Sequence, residues 1–238
     1  MEAAVVKPLI KVAALCGSLR KGSFNRGLLR AAIELSKEES SLKGLEIEYI
    51  DISPLPFLNT DLEVNGTFPS AVEAFRQKIL EADSILFASP EYNYSVTGCP
   101  KKQSVRFKNG VTLAVLVMLS TVDTSNLLSS VLAPLKNAID WASRPPNVWA
   151  DKSAAIISAG GGFGGGRAQY HLRQIGVFLD LHFINKPEFF LNAFQSPAKF
   201  DTDGNLIDPA TKEKLMQVLL SLHAFTSRLK VNAEIMVS

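Results

Sequence analysis

Three short stretches of the chain hold the residue types from which a ligand site could be built. The first is Gly17-Ser18-Leu19-Arg20-Lys21-Gly22-Ser23-Phe24-Asn25. Its small residues let the backbone turn closely, the hydroxyls of Ser18 and Ser23 can donate, and Arg20 brings a fixed cationic fork. A helix starting near Phe24 would aim its free amides at the same spot, an arrangement suited to a phosphate. The same residues also fit a Ser-rich helix cap with surface charges. The closing Gly-Lys-Ser/Thr of a nucleotide P-loop is missing. The second stretch, Pro90-Glu91-Tyr92-Asn93, sets a rigid proline before an aromatic and an amide, a platform for a flat heterocycle; taken alone, such a stretch is more often a simple turn. The third runs Gly160-Gly161-Gly162-Phe163-Gly164-Gly165-Gly166. Without side chains its amides can approach a ligand closely, and a mobile surface loop is the competing reading. Gly160, Gly162 and Gly165 satisfy G-x-G-x-x-G, but the dinucleotide-fold fingerprint belongs in the first βα turn, with an acid ending the next strand. This copy follows the fourth predicted strand, and Asp180 precedes the next one.

The elements that must position these loops alternate along the chain. Strands are predicted at 10–16, 45–51, 84–89, 154–158 and 182–190, from short β-branched and apolar runs. Helices are predicted at 25–37, 70–82, 134–142, 167–180 and 211–229; the first carries the stripe Leu28, Leu29, Ala32 and Leu35. Alternation of this kind specifies βαβ units and a parallel sheet covered on both faces. The expected class is α/β, a flavodoxin-like three-layer sandwich whose five-stranded parallel sheet has the order 2-1-3-4-5 with helices on both faces. Each of the three loops follows a strand, so all three fall on one edge of the sheet.

Composition narrows the function classes. The 238 residues are 47% hydrophobic and 20% charged, which excludes a disordered or collagenous chain. A net charge of +2 gives no argument for nucleic acid. The longest apolar run, Leu113 to Leu119, falls far short of the roughly 20 residues that span a bilayer, so no stable membrane insertion is expected. Cys16 and Cys99 are too few and too far apart for a disulfide framework, and with no leader features in MEAAVVKPLIKVAAL they point to the cytoplasm. His171, His182 and His223 lack ligand spacing and read as surface or packing residues, and no metal site is expected. Trp141 and Trp149 read as packing residues at the sheet edge or between subunits.

Taken together, the strand ending in GSLRKGSFN, the SPEYN after the third strand, and the LKNAIDW helix before the glycine-rich loop resemble the NADPH-dependent FMN reductases. The stretch SRPPNVWADKSAAIISAGGGFGGGRAQYHLRQI is similar to the plant NADPH:quinone oxidoreductase members of that family. The resemblance implies that Ser18, Arg20, Ser23, Phe24 and Asn25 hold the FMN phosphate. It places Pro90, Glu91, Tyr92 and Asn93 beside the isoalloxazine ring, with Ser158, Gly160, Gly161 and Gly162 on the other side. It further implies NADPH or NADH as hydride donor, a quinone as two-electron acceptor, and a homo-oligomer, dimer or tetramer. No side chain is assigned as catalytic acid or base, because the cofactor carries the chemistry. The alternatives are a broader reductase of flavins, azo dyes or metal oxyanions, and a catalytically impaired interaction protein or splice form.

One segment does not belong to the resemblance. Residues 98–132 separate PEYN from the 134–142 helix, where the family joins the two within a few residues. The segment carries Lys101, Lys102, Arg106 and Lys108 against Asp123 alone, then a bare apolar run, and no period organises it. A structureless insertion of this size in a compact domain is unusual. The expectation is one flavodoxin-like domain over 1–238 interrupted by a stretch of translated intron or other gene-model artefact. A genuine splice form and a docking element are the alternatives.

Overall fold

The computed structural model describes residues 9–92, 94–96 and 134–237, the last six as helix backbone. Five helices and six strands alternate along it: β1 Ile10–Cys16, α1 Phe24–Glu38, β2 Leu45–Tyr49, α2 Ser70–Glu81, β3 Ser84–Ala88, α3 Pro134–Ser143, β4 Ser153–Gly160, α4 Gly166–Phe178, β5 His182–Phe183, β6 Phe189–Asn192 and α5 Pro209–Val237. All pairings between these strands are parallel, in the order β2-β1-β3-β4-β5, with β6 also on β4. This is the flavodoxin-like arrangement expected from the alternation.

The fifth position differs from expectation. The strand expected at 182–190 is split into β5 and β6, both lying along β4. Between them stands Pro187, which has no amide to donate and cannot continue a ladder.

Strand side chains alternate between two cores. Ile10, Val12, Ala14 and Cys16 of β1 meet Leu28, Leu29 and Ala32 of α1 and Leu215, Val218 and Leu219 of α5. Ala13 and Leu15 face the opposite side, with Phe75 and Ile79 of α2, Leu135, Ala138 and Ile139 of α3, and Leu172 of α4. The sheet is therefore sandwiched between α1 with α5 and α2 with α3 and α4. Trp141 and Trp149 are fully buried, their indoles donating to the carbonyls of Pro56 and Ile139 at 2.7 and 3.1 Å.

Register brings the loops level. Cys16 sits opposite Ala88, and Ala88 opposite Ile157, so β1 and β3 finish together while β4 runs three residues further, to Gly160. The Gly17 amide donates to the Ala88 carbonyl at 2.8 Å and the Ser89 amide to Ile157 at 3.2 Å, which starts the loops side by side.

Candidate functional site at the carboxyl edge of the sheet

The loop between β1 and α1 is built to leave donors open. Ser23 caps α1, its Oγ accepting from the Arg26 amide at 3.4 Å, while the Gly27 amide takes the Ser23 carbonyl at 2.9 Å. The Phe24 and Asn25 amides of the first turn have no intrahelical acceptor. Arg20 and Lys21 are exposed beside them, and among the described residues no carboxylate pairs with either. Cys16, just before the loop, is buried; burial pushes its thiol up, so it stays a neutral packing group rather than a nucleophile.

A buttress that no motif signalled holds this loop from behind. Phe24 stacks on Phe200 at 4.4 Å and meets Phe194 edge-on at 5.8 Å. The turn Asp201-Thr202-Asp203-Gly204-Asn205 presses against the start of α1. The Arg30 guanidinium donates to the Asn205 side chain at 2.8 Å, and a Cβ on Gly27 would lie 1.8 Å from the Gly204 carbonyl oxygen. The turn holds its own shape because Asp201 accepts from the Asp203 and Asn205 amides and the Asn205 side chain, bonds that keep its carboxyl below the ordinary range.

The second and third loops are tied to each other. The Glu91 carboxylate accepts from the Arg167 and Ala168 amides at 2.9 and 3.3 Å. It thereby caps α4, whose own cap residue, Gly165, has no side chain to do so. Arg167 lies 3.6 Å from Glu91, with the ring centroids of Tyr94 and Phe163 at 4.1 and 5.1 Å from its guanidinium carbon. Further along, Tyr92 and Ser95 exchange backbone hydrogen bonds, and His171 bonds the Ser95 hydroxyl at 2.9 Å. Between the loops opens a cleft with Glu91 and Tyr94 on one side and Gly161, Gly162, Phe163, Gly165 and Arg167 on the other.

The sites named from sequence are brought together, though several side chains are committed elsewhere. Ser18, Arg20, Ser23, Phe24 and Asn25 follow β1; Pro90, Glu91 and Tyr92 follow β3; Ser158, Gly160, Gly161 and Gly162 end or follow β4. Asn93 lies outside the described residues, as does the 98–132 segment. Gly17 touches the second loop: a Cβ there would come within 3.0 Å of the Pro90 ring. Asn25 turns inward, donating to the Ala159 carbonyl at 2.8 Å and accepting from its amide at 3.0 Å. Glu91 is the helix cap just described, and Ser158 Oγ is buried against the Gly164 carbonyl at 2.7 Å. Tyr92, by contrast, is exposed. Tyr94, Phe163, Arg167 and Gln169 were not named as site residues: Phe163 stands among the loop glycines and Arg167 and Gln169 in the stretch after them, but nothing in their spacing shows that they face the cleft or its walls.

These features suit a ligand with an anionic group at one end and a flat ring at the other, the chemistry of FMN. They offer uncommitted amides and a free cationic fork at one end of the edge, and an open cleft lined by side-chain-free backbone at the other. The glycine loop separates into two kinds of position. At Gly161 and Gly162 a Cβ would meet open space, whereas at Gly164 it would strike the Leu191 backbone at 2.6 Å. Gly161→Val should accordingly leave thermal unfolding of the apoprotein unchanged while lowering flavin occupancy, since a branched side chain there obstructs only what enters the cleft. A titration showing normal FMN affinity would remove Gly161 from the site.

Residues 10–106 and 124–196 match the family model of the NADPH-dependent FMN reductases. The chain belongs to that family. The match is interrupted over 107–123, inside the segment that sequence reading had set apart. At the level of individual relatives, the chain is 68% identical to the NADPH:quinone oxidoreductase of Arabidopsis thaliana, covering 97% of this chain and 99% of the relative. It is 64% identical to the NAD(P)H:quinone oxidoreductase of Solanum tuberosum, covering 96% and 98%. Among solved structures it superposes on FerB, a flavoenzyme NAD(P)H:(acceptor) oxidoreductase from Paracoccus denitrificans. That match has a TM-score of 0.66 at 25% identity and covers 92% of this chain and 98% of that one. FMN reductase membership accounts for three loops gathered on one sheet edge, the place where flavodoxin-like folds take their ligand.

Proposed function

We propose that this FMN reductase is an NAD(P)H:quinone oxidoreductase of the cytoplasm, working as a single FMN-binding domain in a homo-oligomer. The observation that carries the reading is the convergence of the three loops. One is left cationic and rich in free amides, while the other two enclose a cleft floored by glycine.

Ser18, Arg20 and the first-turn amides of Phe24 and Asn25 hold the phosphate, with Ser23 capping the helix behind them. The backbone of Pro90 to Asn93 borders one side of the ring, and the amides of Gly160, Gly161 and Gly162 border the other. The side chains of Asn25, Glu91 and Ser158 shape these walls rather than touch the ligand. When bound, FMN would supply the redox chemistry: a hydride from NADPH in, and a hydride's two electrons and proton out to a quinone, which with one further proton from water becomes the hydroquinone. The protein's part is to position both substrates in turn in one cleft. The usage of two cysteines supports the cytoplasm. Val177 and Phe178, adjacent and more than four-fifths exposed at the end of α4, support a homo-oligomer.

Arg20→Ala should weaken FMN about tenfold to a hundredfold, the worth of one charge-assisted contact at about 1.5–3 kcal/mol. Turnover by the loaded enzyme should change little. Titration of FMN into the apoprotein measures this, and unchanged affinity would take Arg20 out of the phosphate site.

The reading of one domain interrupted at 98–132 rests on the break in the family match at 107–123. Closure entropy grows only logarithmically with loop length, so the segment is thermodynamically cheap to carry and to lose. Deleting it and joining Thr97 to Ala133 should preserve or raise FMN content and quinone reduction. Loss of flavin or of folding on deletion would make the segment an integral element.

A further inference from the structure

Gln169, in the second turn of α4, is 1% exposed and lies outside the three loops singled out from sequence. Its Nε2 donates to Ser158 Oγ at 2.7 Å and to the Phe189 carbonyl at 2.8 Å. Ser158 Oγ in turn donates to the Gly164 carbonyl at 2.7 Å. A chain of hydrogen bonds thus runs from amide to hydroxyl to carbonyl, from α4 through β4 into the glycine loop. Turning the amide over would set its oxygen against the Phe189 carbonyl, so the orientation is fixed. In that orientation Oε1 is buried with no partner among the described residues. Unpaired buried acceptors are rare and call for a reason, and functional sites are where folds keep such local costs.

What the chain of bonds holds in place is one peptide plane of the glycine loop. With the Gly164 carbonyl held toward Ser158, a planar trans peptide turns the Gly165 N–H the opposite way. That amide has no acceptor among the described residues, and Gly165 lines the cleft. A Cβ on Gly160 would come within 3.4 Å of the same nitrogen, so glycine at 160 leaves it approachable.

We infer that Gln169, acting through Ser158, is a positioning residue that presents the Gly165 N–H to an acceptor atom on the edge of the flavin ring. The inference rests on the reading that FMN lies against the glycine loop. A donor at the ring edge favours the electron-rich reduced flavin over the oxidised one. Removing it lowers the midpoint potential and moves the visible absorption bands.

The test compares the FMN-loaded wild type with Gln169→Met, which keeps the volume and removes both donors, and with Ser158→Ala. The second variant leaves the Gln169–Phe189 bond in place and carries the test alone where Gln169→Met does not fold. Both should raise the FMN dissociation constant on the order of tenfold and shift the midpoint potential in the negative direction together with the bands. A merely structural role would lower the unfolding temperature and leave potential and bands where they were. Ser158→Ala holding FMN with unaltered bands and potential would overturn the inference. Wild-type protein that takes up no FMN would instead overturn the reading beneath it.

Discussion

Gly27→Ala should strip the protein of much of its flavin and lower its unfolding temperature by roughly 5–10 °C. On helix propensity alone the substitution gains about 1 kcal/mol. Against that gain stands a methyl placed 1.8 Å from the Gly204 carbonyl oxygen and 3.0 Å from its carbon. The obstacle is backbone, held from three sides: the Gly204 amide bonds the Asp201 carbonyl at 3.1 Å, Arg30 grips Asn205, and Gly204 itself presses on Gly22. Overpacking of a rigid site costs about 1–3 kcal/mol and sometimes more. With no flexible side chain to yield, the cost goes to about 3–4 kcal/mol and the clash wins by about 2–3 kcal/mol, and in a domain of this size each kcal/mol moves the midpoint by about 2–4 °C. The displaced first turn of α1 carries the amides proposed for the phosphate, so the flavin-to-protein ratio should fall with stability. Wild-type values for both would mean that α1 and the 201–205 turn do not touch as described.

Gly164→Ala should be the most damaging single methyl in the glycine loop. Gly164 has φ +60°, a region that costs an L-residue about 1–2 kcal/mol. Its Cβ would fall 2.6 Å from the Leu191 nitrogen and 2.8 Å from the Phe190 carbonyl carbon, inside the strand β6 that pairs with β4. Strain and clash together should exceed about 3 kcal/mol, visible in denaturant unfolding as a lower midpoint at constant slope. Gly161→Val, three positions earlier and larger, should leave that midpoint in place. Equal effects at the two positions would show that the loop is uniformly mobile rather than anchored at Gly164.

The contrast also marks what could be read from sequence. The strand and helix alternation was legible because each strand is an apolar run between turn residues, and the parallel order followed from it. The glycine loop was legible as a site, since its position after β4 places it beside the other two. Which glycines are obligatory was not, because the deciding neighbour of Gly164 is Leu191, 27 residues on in the chain. Pro187 inside the last apolar run was the available sign that the fifth strand would break. Glu91, Asn25 and Ser158 stood in the right loops, but their partners, the α4 amides, Ala159 and Gly164, are set by tertiary approach. The buttress behind α1 left two faint traces, a glycine inside the helical stripe and the turn sequence Asp203-Gly204-Asn205. Neither says that the two touch.

The absorption spectrum of the purified protein, followed anaerobically through addition of NADPH and then of a quinone, tests the central claim most directly. Flavin bands near one FMN per chain should bleach with NADPH and return with the quinone, one equivalent of each, without radical product. Protein that carries no flavin and takes up none when FMN is added, or bands that NADPH leaves unchanged, would contradict it.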